Sequence, residues 1–236
     1  MKIPKKIHQI WFGDRDYRTL YNPEWIDSWS ELNPEYEYKV HTENDADEVF
    51  QKYPEYLEIF EKLWGKRNIK FALRSDFYRC LLMYEFGGIY VDMDFECYKS
   101  IDPLLLEYEN EVILGRLGNK MDWKHSFPNS MLISKPKANF WIHMLNMIVE
   151  KDIPKKIGRL AVEHTTGPVA LKEAYDTYKF QSEISCVPSK YLYPMNWRKR
   201  RGVVYKHNIV KKMNVEDRRK EFPEAFAGTY WGAEWS

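Results

Sequence analysis

The sequence has little of what marks several protein classes. Its 236 residues include only three cysteines, too few and too scattered for a disulfide framework or a zinc cluster. No apolar run approaches the ~20 residues that a membrane span needs, and the first residues lack the apolar stretch of a signal peptide. We therefore expect a cytoplasmic protein with no transmembrane segment, and peripheral membrane association stays open.

The sequence also lacks an excess of charge and several common site motifs. Lysine and arginine total 36 against 35 acidic residues, so the net charge of +1 creates no field that would attract nucleic acid. It contains no glycine-rich dinucleotide motif, no phosphate-loop lysine and no local signature of a serine or cysteine nucleophile. A phosphate-bearing ligand would have to be held by local contacts.

Apolar and aromatic residues are abundant by contrast. Hydrophobic residues make up 44% of the chain and aromatic residues 16%, with nine tryptophans, which is enough for the core of a single domain over residues 1–236. Flat aromatic faces suit sugar rings and nucleobases as well as protein cores. Composition alone does not choose between these uses.

Segments typical of strands alternate with segments typical of helices. Strands are predicted at 6–12, 36–40, 89–91, 111–115, 130–134 and 184–187, and helices at 22–32, 68–86, 137–150 and 168–178, with two short helices within 45–63 broken at Pro54. Gly87 and Gly88 end the longest helix. The strand, helix, strand order favours an α/β fold with a parallel sheet and crossover helices.

Two carboxylates, Asp92 and Asp94, follow the predicted strand at 89–91. If the backbone there stays extended, both side chains point to the same side and attract a hard cation. Magnesium or manganese takes one or two protein carboxylates and leaves its other positions to water and phosphate, so the pair suits a metal-bound diphosphate. An Asp-x-Asp sequence is weak evidence by itself, and a solvated loop pair is the alternative.

The helix before this pair carries a polar stripe. Asp76 and Arg79 share one face with Ala72 and Met83 at helical spacing. They form either a helical ion pair of a few tenths of a kcal/mol or a polar surface beside the Asp92 and Asp94 pocket.

These residues lie in a longer ordered pattern. Residues 72–79 and 87–94 resemble the sugar-binding region of the DXD-containing glycosyltransferases of family 32, which include the yeast initiating α-1,6-mannosyltransferase and are related to the glucosylating domains of large clostridial toxins. Residues 3–13, 129–136 and 166–168 resemble other segments of that family. The resemblance implies a GT-A fold, a Rossmann-like nucleotide-binding α/β domain, with helical additions.

The resemblance also assigns roles to individual residues. It implies that Asp94 is the main metal ligand, and that Asp92 contacts ribose or sugar hydroxyls and reaches the metal through water. It implies that Trp11 stacks on the nucleobase. Asp76 and Arg79 would hold hydroxyls of the donor sugar and the ribose.

Two further residues receive roles of the same kind. Tyr90 would pack beside the nucleotide, and Asn129 would orient the sugar or the incoming hydroxyl. Trp11 and Tyr90 have an alternative as simple core residues, because aromatic side chains are often buried.

The carboxyl-terminal segment departs from the family pattern. Family members commonly carry a histidine upstream of Ser-Trp, and this sequence has none at 229–236. Glu234 and Ser236 are the substitutes predicted as metal ligands, with Trp235 over the diphosphate, and the alternative is a metal that keeps extra waters. We expect residues 229–236 to form a mobile cover over the donor.

Other charged or titratable residues receive no site role. His8 and His164 are interpreted as structural, because neither has a paired ligand at metal spacing. The basic run at 198–201 would form a solvated face or bind an anionic group.

Together these features predict a hexosyltransferase that depends on Mn²⁺ or Mg²⁺. It would transfer a sugar from a nucleoside-diphosphate donor, UDP favoured over GDP, to a hydroxyl acceptor on a glycan or polysaccharide. The resemblance implies retention at the anomeric carbon, for which we favour front-face substitution, with Asp92, Asp94 and Asn129 as the catalytic set. The rival hypotheses are a metal-dependent phosphohydrolase or nuclease and a catalytically silent nucleotide-sugar-binding module.

Overall fold

A six-stranded mixed sheet forms the centre of the computed structural model, which describes residues 2–62, 68–118, 126–151, 158–195 and 209–230. Its strands are β1 (Lys6–Ile10), β2 (Glu37–His41), β3 (Gly88–Val91), β5 (Val112–Gly115), β6 (Met131–Ser134) and β7 (Ile184–Val187), in the order β2-β1-β3-β6-β5-β7. A separate antiparallel ribbon pairs β4 (Phe95–Cys97) with β8 (Ala227–Thr229).

The strand directions confirm the prediction of a parallel sheet for five strands and contradict it for one. β6 runs antiparallel to both of its neighbours, β3 and β5, whereas β2, β1, β3, β5 and β7 share one direction. The carboxyl ends of those five strands therefore meet at one margin of the sheet, called here the carboxyl edge. In open α/β sheets this is the margin at which ligands bind.

Ten α-helices cover or flank the sheet in the described ranges. They are α1 (Pro23–Leu32), α2 (Glu43–Phe50), α3 (Pro54–Lys62), α4 (Asn68–Phe86), α5 (Asp102–Glu107), α6 (Asn139–Val149), α7 (Arg159–Thr165), α8 (Pro168–Thr177), α9 (Ser189–Leu192) and α10 (Val215–Glu221). Every helix and sheet strand predicted from periodicity is present. The unpredicted elements, β4, β8, α5, α7, α9 and α10, are seven residues or shorter.

Two apolar layers lie on opposite faces of the sheet. On one face, Tyr90 and Leu132 pack with the buried residues of α4, α6 and α8. On the other face, Ile89 and Val91 pack with Trp29 of α1 and with the β4 ribbon. Successive side chains of β3 point to opposite faces of the sheet, and both faces are covered, so every position of this strand is apolar.

A glycine pair returns the chain from α4 directly into β3. Gly87 and Gly88 have φ values of 62° and 89°, in the region that favours glycine. A Cβ on Gly87 would lie 2.5 Å from the nitrogen of Pro136, and one on Gly88 would lie 2.6 Å from the carbonyl oxygen of Lys6. This close approach aligns α4 with β3, so that residues late in the helix lie beside the strand.

The described helices include none with both the length and the hydropathy that a bilayer crossing requires.

Candidate functional site

Asp92 and Asp94 lie in a tight turn at the carboxyl edge, between β3 and β4. The Phe95 N–H donates to the carbonyl oxygen of Asp92 at 3.1 Å, so the backbone reverses here and the extended geometry assumed from the sequence is wrong. Two contacts with other segments hold the turn. The Asp92 N–H donates to the carbonyl oxygen of Ser130 at 2.8 Å, and Gln9 Nε2 donates to the carbonyl oxygen of Asp92 at 3.1 Å. We call residues 92–94 the acidic turn.

Arg79 joins α4 to this turn. Its Nη2 lies 2.8 Å from Asp76 Oδ1 and its Nη1 lies 3.2 Å from Asp92 Oδ1. Nη1 also donates to the carbonyl oxygen of Asn129 at 2.5 Å. Burial disfavours the charge of Arg79, but Tyr90, Asp92 and Asp76 outweigh it and hold its pKa above the usual value. The guanidinium is therefore a fixed cation between two carboxylates.

Asp76 is nearly buried, with 6% of its surface exposed, and has three side-chain partners in the described part of the chain. Arg79 and Asn129 Nδ2 both contact Oδ1, the latter at 2.9 Å, and Thr166 Oγ1 donates to Oδ2 at 3.1 Å. Burial raises the pKa of Asp76 to about 6, and Arg79, Thr166 and Asn129 oppose that rise. A carboxylate offers about four acceptor positions, so these contacts use three of them.

Tyr90 links the strand to the acidic turn. Its hydroxyl donates to Asp92 Oδ1 at 2.6 Å, and the Arg79 guanidinium lies 4.5 Å from the centre of its ring. Burial raises the pKa of Asp92, against the effects of Arg79 and Tyr90. The Asp92 side chain is still 33% exposed, so Oδ1 is engaged inside the protein while the carboxylate faces the carboxyl edge.

Trp11 follows β1, the parallel neighbour of β3, and lies at the same edge. The register pairs His8 with Tyr90, so Trp11 follows the carboxyl end of β1 next to the carboxyl end of β3. The indole is half-buried, donates from Nε1 to the Arg15 carbonyl at 2.7 Å and meets the ring of Tyr21 edge-on. This ring is held in place and partly open to solvent, unlike the fully buried Trp29.

The acidic turn carries two carboxylates, the donor chemistry that a hard cation prefers. Within the described ranges, no group of three or more His, Cys, Asp or Glu residues could enclose a metal ion. Two carboxylates one residue apart match a Mg²⁺ or Mn²⁺ ion that takes most of its ligands from phosphate and water. Asp94 is 7% exposed, and its carbonyl oxygen accepts from the Tyr230 N–H at 3.0 Å.

The carboxyl-terminal prediction is wrong for the two residues of the segment that the structure describes. Thr229 and Tyr230 are buried, and Tyr230 stacks on Trp25 with ring centres 4.2 Å apart. Its hydroxyl donates to Glu96, which is itself fully buried. A cover over the donor would have to begin after Tyr230. The other residues of this segment with a predicted role lie outside the described residues; they are Glu234, Trp235 and Ser236. The basic run at 198–201 also lies outside them.

Two residues at the site received no role from the sequence. Gln9 is fully buried and supports the carbonyl of Asp92, and Thr166 supports Asp76. Gln9 is one of three polar residues in β1 and carries no distinguishing signal, whereas Thr166 belongs to the Thr-Gly-Pro segment at 166–168. Their partners are 83 and 90 residues away, and only the fold brings them together.

Comparison with known proteins finds a family model and named relatives that match parts of this chain. Residues 21–111 match the family model described as the glycosyltransferase sugar-binding region containing DXD motif. Mannosyl phosphorylinositol ceramide synthase SUR1 of Saccharomyces cerevisiae is 29% identical over 186 residues, 75% of this chain and 43% of that protein. Inositol phosphoceramide mannosyltransferase 3 of Schizosaccharomyces pombe is 36% identical over 108 residues, 44% of this chain and 27% of that protein.

Solved structures give the fold. The PaToxG glycosyltransferase superposes with a TM-score of 0.52 at 19% identity, over 73% of this chain and 68% of that one. The fold is the GT-A fold, as predicted, and the resemblance to DXD-containing glycosyltransferases is confirmed. The family match includes Asp76, Arg79 and the acidic turn but not Trp11 or Asn129. The chain spans less than half the length of the two yeast relatives.

Proposed function

We propose that this chain is a metal-dependent, retaining glycosyltransferase that transfers a hexosyl group from a nucleoside-diphosphate sugar to a hydroxyl acceptor. The observation that carries the proposal is the ion-paired set at the carboxyl edge, in which Arg79 lies between Asp76 and Asp92 beside the acidic turn. This arrangement lies within the matched sugar-binding region. The names of the yeast relatives make mannosyl the first sugar to test.

The charges and exposures of the site support separate tasks for its residues. The exposed part of the Asp92 carboxylate accepts from ribose or sugar hydroxyls, while its Oδ1 stays fixed by Tyr90 and Arg79. Asp76 accepts from a sugar hydroxyl through its remaining acceptor position on Oδ2. Trp11 stacks on the base, a contact that tolerates either uracil or guanine.

Asp94, with Asp92, would hold Mn²⁺ or Mg²⁺ against the donor's diphosphate. The bound cation would supply charge stabilisation for the departing diphosphate. The residues of the chain then act by positioning. Asn129, whose amide is fixed by Asp76 and whose carbonyl is fixed by Arg79, lies beside the donor sugar and orients it for front-face attack.

An activity panel tests the proposal. Purified protein is incubated with Mn²⁺ and each of UDP-glucose, UDP-galactose and GDP-mannose, with and without sugar acceptors, and the released nucleotide is measured. The proposal predicts metal-dependent release of the nucleoside diphosphate from at least one donor. Release of the monophosphate would favour a phosphohydrolase instead, and binding without turnover would favour a silent binding module.

A further inference from the structure

We infer that Thr166 is a positioning residue for the donor sugar, acting through Asp76, an inference that rests on the proposed glycosyltransferase function. Thr166 lies immediately after α7, 90 residues from Asp76, and is fully buried. Its hydroxyl donates to Asp76 Oδ2 at 3.1 Å. It lies outside the matched sugar-binding region.

The backbone around Thr166 is fixed by its neighbours. The N–H groups of Thr166 and Gly167 both donate to the carbonyl oxygen of Val162, at 3.1 and 2.9 Å. A Cβ on Gly167 would lie 2.9 Å from the Cα of Glu163, so a side chain there would force the turn apart. Pro168 then begins α8 at a position where its missing N–H is harmless. The Thr-Gly-Pro sequence therefore holds the Thr166 side chain in one place.

The contact with Thr166 decides how Asp76 faces a ligand. Arg79 and Asn129 both contact Oδ1 of Asp76. With Oδ1 held, the carboxylate plane can still rotate unless a second contact holds Oδ2. Thr166 is the residue bonded to Oδ2 in the described part of the chain. Its hydroxyl therefore fixes the direction of the acceptor position that remains on Oδ2, the one assigned above to a sugar hydroxyl.

The role predicts an effect confined to the sugar. Loss of the Thr166 hydroxyl should weaken contacts with the hexose while contacts with the base and the diphosphate, made elsewhere on the carboxyl edge, persist. If Thr166 had only a structural role, its substitution would lower the affinity for the nucleotide sugar and for the nucleoside diphosphate by the same factor. The ratio of affinities for a nucleotide sugar and its nucleoside diphosphate separates these cases.

The experiment measures dissociation constants with Mn²⁺ for two pairs of probes, GDP-mannose with GDP and UDP-glucose with UDP. The variants are Thr166→Val, which removes only the hydroxyl function at similar volume, Thr166→Ser, which keeps it, and Thr165→Val. Thr165 is a matched control because it is the adjacent residue of the same type and is 4% exposed. Thr166→Ala carries the same expectation as Thr166→Val if the valine variant does not fold.

We expect Thr166→Val to raise the dissociation constant of the nucleotide sugar at least tenfold and that of the nucleoside diphosphate less than twofold. Thr166→Ser should stay within threefold of wild type for both, and Thr165→Val should resemble wild type. Unchanged nucleotide-sugar affinity in Thr166→Val, or equal weakening of sugar and diphosphate probes, overturns the inference while the proposed function stands. Wild-type protein that binds none of the four probes overturns both.

Discussion

A buried histidine pair predicts how the stability of this protein depends on pH. His8 of β1 and His41 of β2 are 4% and 3% exposed, and His8 Nδ1 lies 2.9 Å from His41 Nε2. His8 Nε2 lies 3.0 Å from the Gly87 carbonyl, which only accepts, so this nitrogen carries the proton and Nδ1 accepts from His41. His41 Nδ1 then accepts from the Tyr78 hydroxyl at 3.2 Å. The chain of donors is complete with both rings neutral.

Burial lowers the pKa of His8 to about 4 and that of His41 to about 3. In the unfolded chain both rings have a pKa of about 6.5. The unfolded state therefore binds more protons as pH falls from about 6.5 to about 4, so the free energy of unfolding falls over that window. For a ring with a folded pKa of about 4, the loss between pH 7.5 and pH 5.0 is about 2 kcal/mol.

The variant His8→Gln tests this reasoning. Urea unfolding of wild type and variant, followed by tryptophan fluorescence at pH 7.5 and pH 5.0, gives the two free energies for each protein. The difference between the two pH values should be about 2 kcal/mol smaller in His8→Gln, because one titrating ring is gone. The raised pKa of Asp76 acts in the opposite direction, but it is present in both proteins and cancels in the comparison.

At pH 7.5 the variant should be less stable by about 1–3 kcal/mol, because the His41 N–H loses its buried acceptor. His41→Gln should reduce the pH dependence by a similar amount. If either variant keeps the full wild-type difference between pH 7.5 and pH 5.0, that ring is charged in the folded protein, and the neutral chain of donors is wrong.

Three further predictions concern the site and the fold. Trp11→Ala should weaken donor binding by about 1–3 kcal/mol, with a smaller effect on inorganic diphosphate and Mn²⁺; titration calorimetry that finds equal losses would indicate a damaged core instead. Gly87→Ala should lower the free energy of unfolding by about 2 kcal/mol or more, because a φ of 62° is strained for alanine and the added Cβ would meet Pro136. A melting temperature equal to that of wild type would contradict this. Arg218→Leu should destabilise the fold by about 3–5 kcal/mol in urea, because it leaves Glu96 buried without its cation at 2.8 Å, and a loss under 1 kcal/mol would mean that the pair is not formed.

Periodicity predicted most of the sheet because the relevant information is local. The apolar strand at β3, the long α4 and the glycine pair between them each carry their own signal, and their order alone placed Asp92 at a strand end. The antiparallel direction of β6 has no such signal. It depends on the pairing of β6 between β3 and β5, two strands that are distant in the sequence, and no short-range pattern records that pairing.

The same distinction holds within the site. The pairing of Asp76 with Arg79 follows from helical spacing, and the structure places both beside Asp92. The reversal at the acidic turn could not be foreseen, because Phe95 begins a ribbon with β8, whose residues are more than 130 positions away. Burial of Tyr230 against Trp25 was missed for the same reason, since an aromatic and glycine-punctuated chain end looks exposed until its partner on α1 is known.

The acidic turn is proposed to hold the metal and the diphosphate of a sugar donor. This role is tested by the rate of Mn²⁺-dependent nucleoside-diphosphate release from the donor that wild type uses, compared between Asp94→Asn and Asp102→Asn. Asp102 is a matched aspartate at the start of α5, bonded to Tyr36. We expect a folded Asp94→Asn protein with a rate reduced about 100-fold, the order expected when charge stabilisation of the transition state is removed, and an Asp102→Asn rate close to wild type. A folded Asp94→Asn protein that keeps the wild-type rate and metal dependence would contradict it.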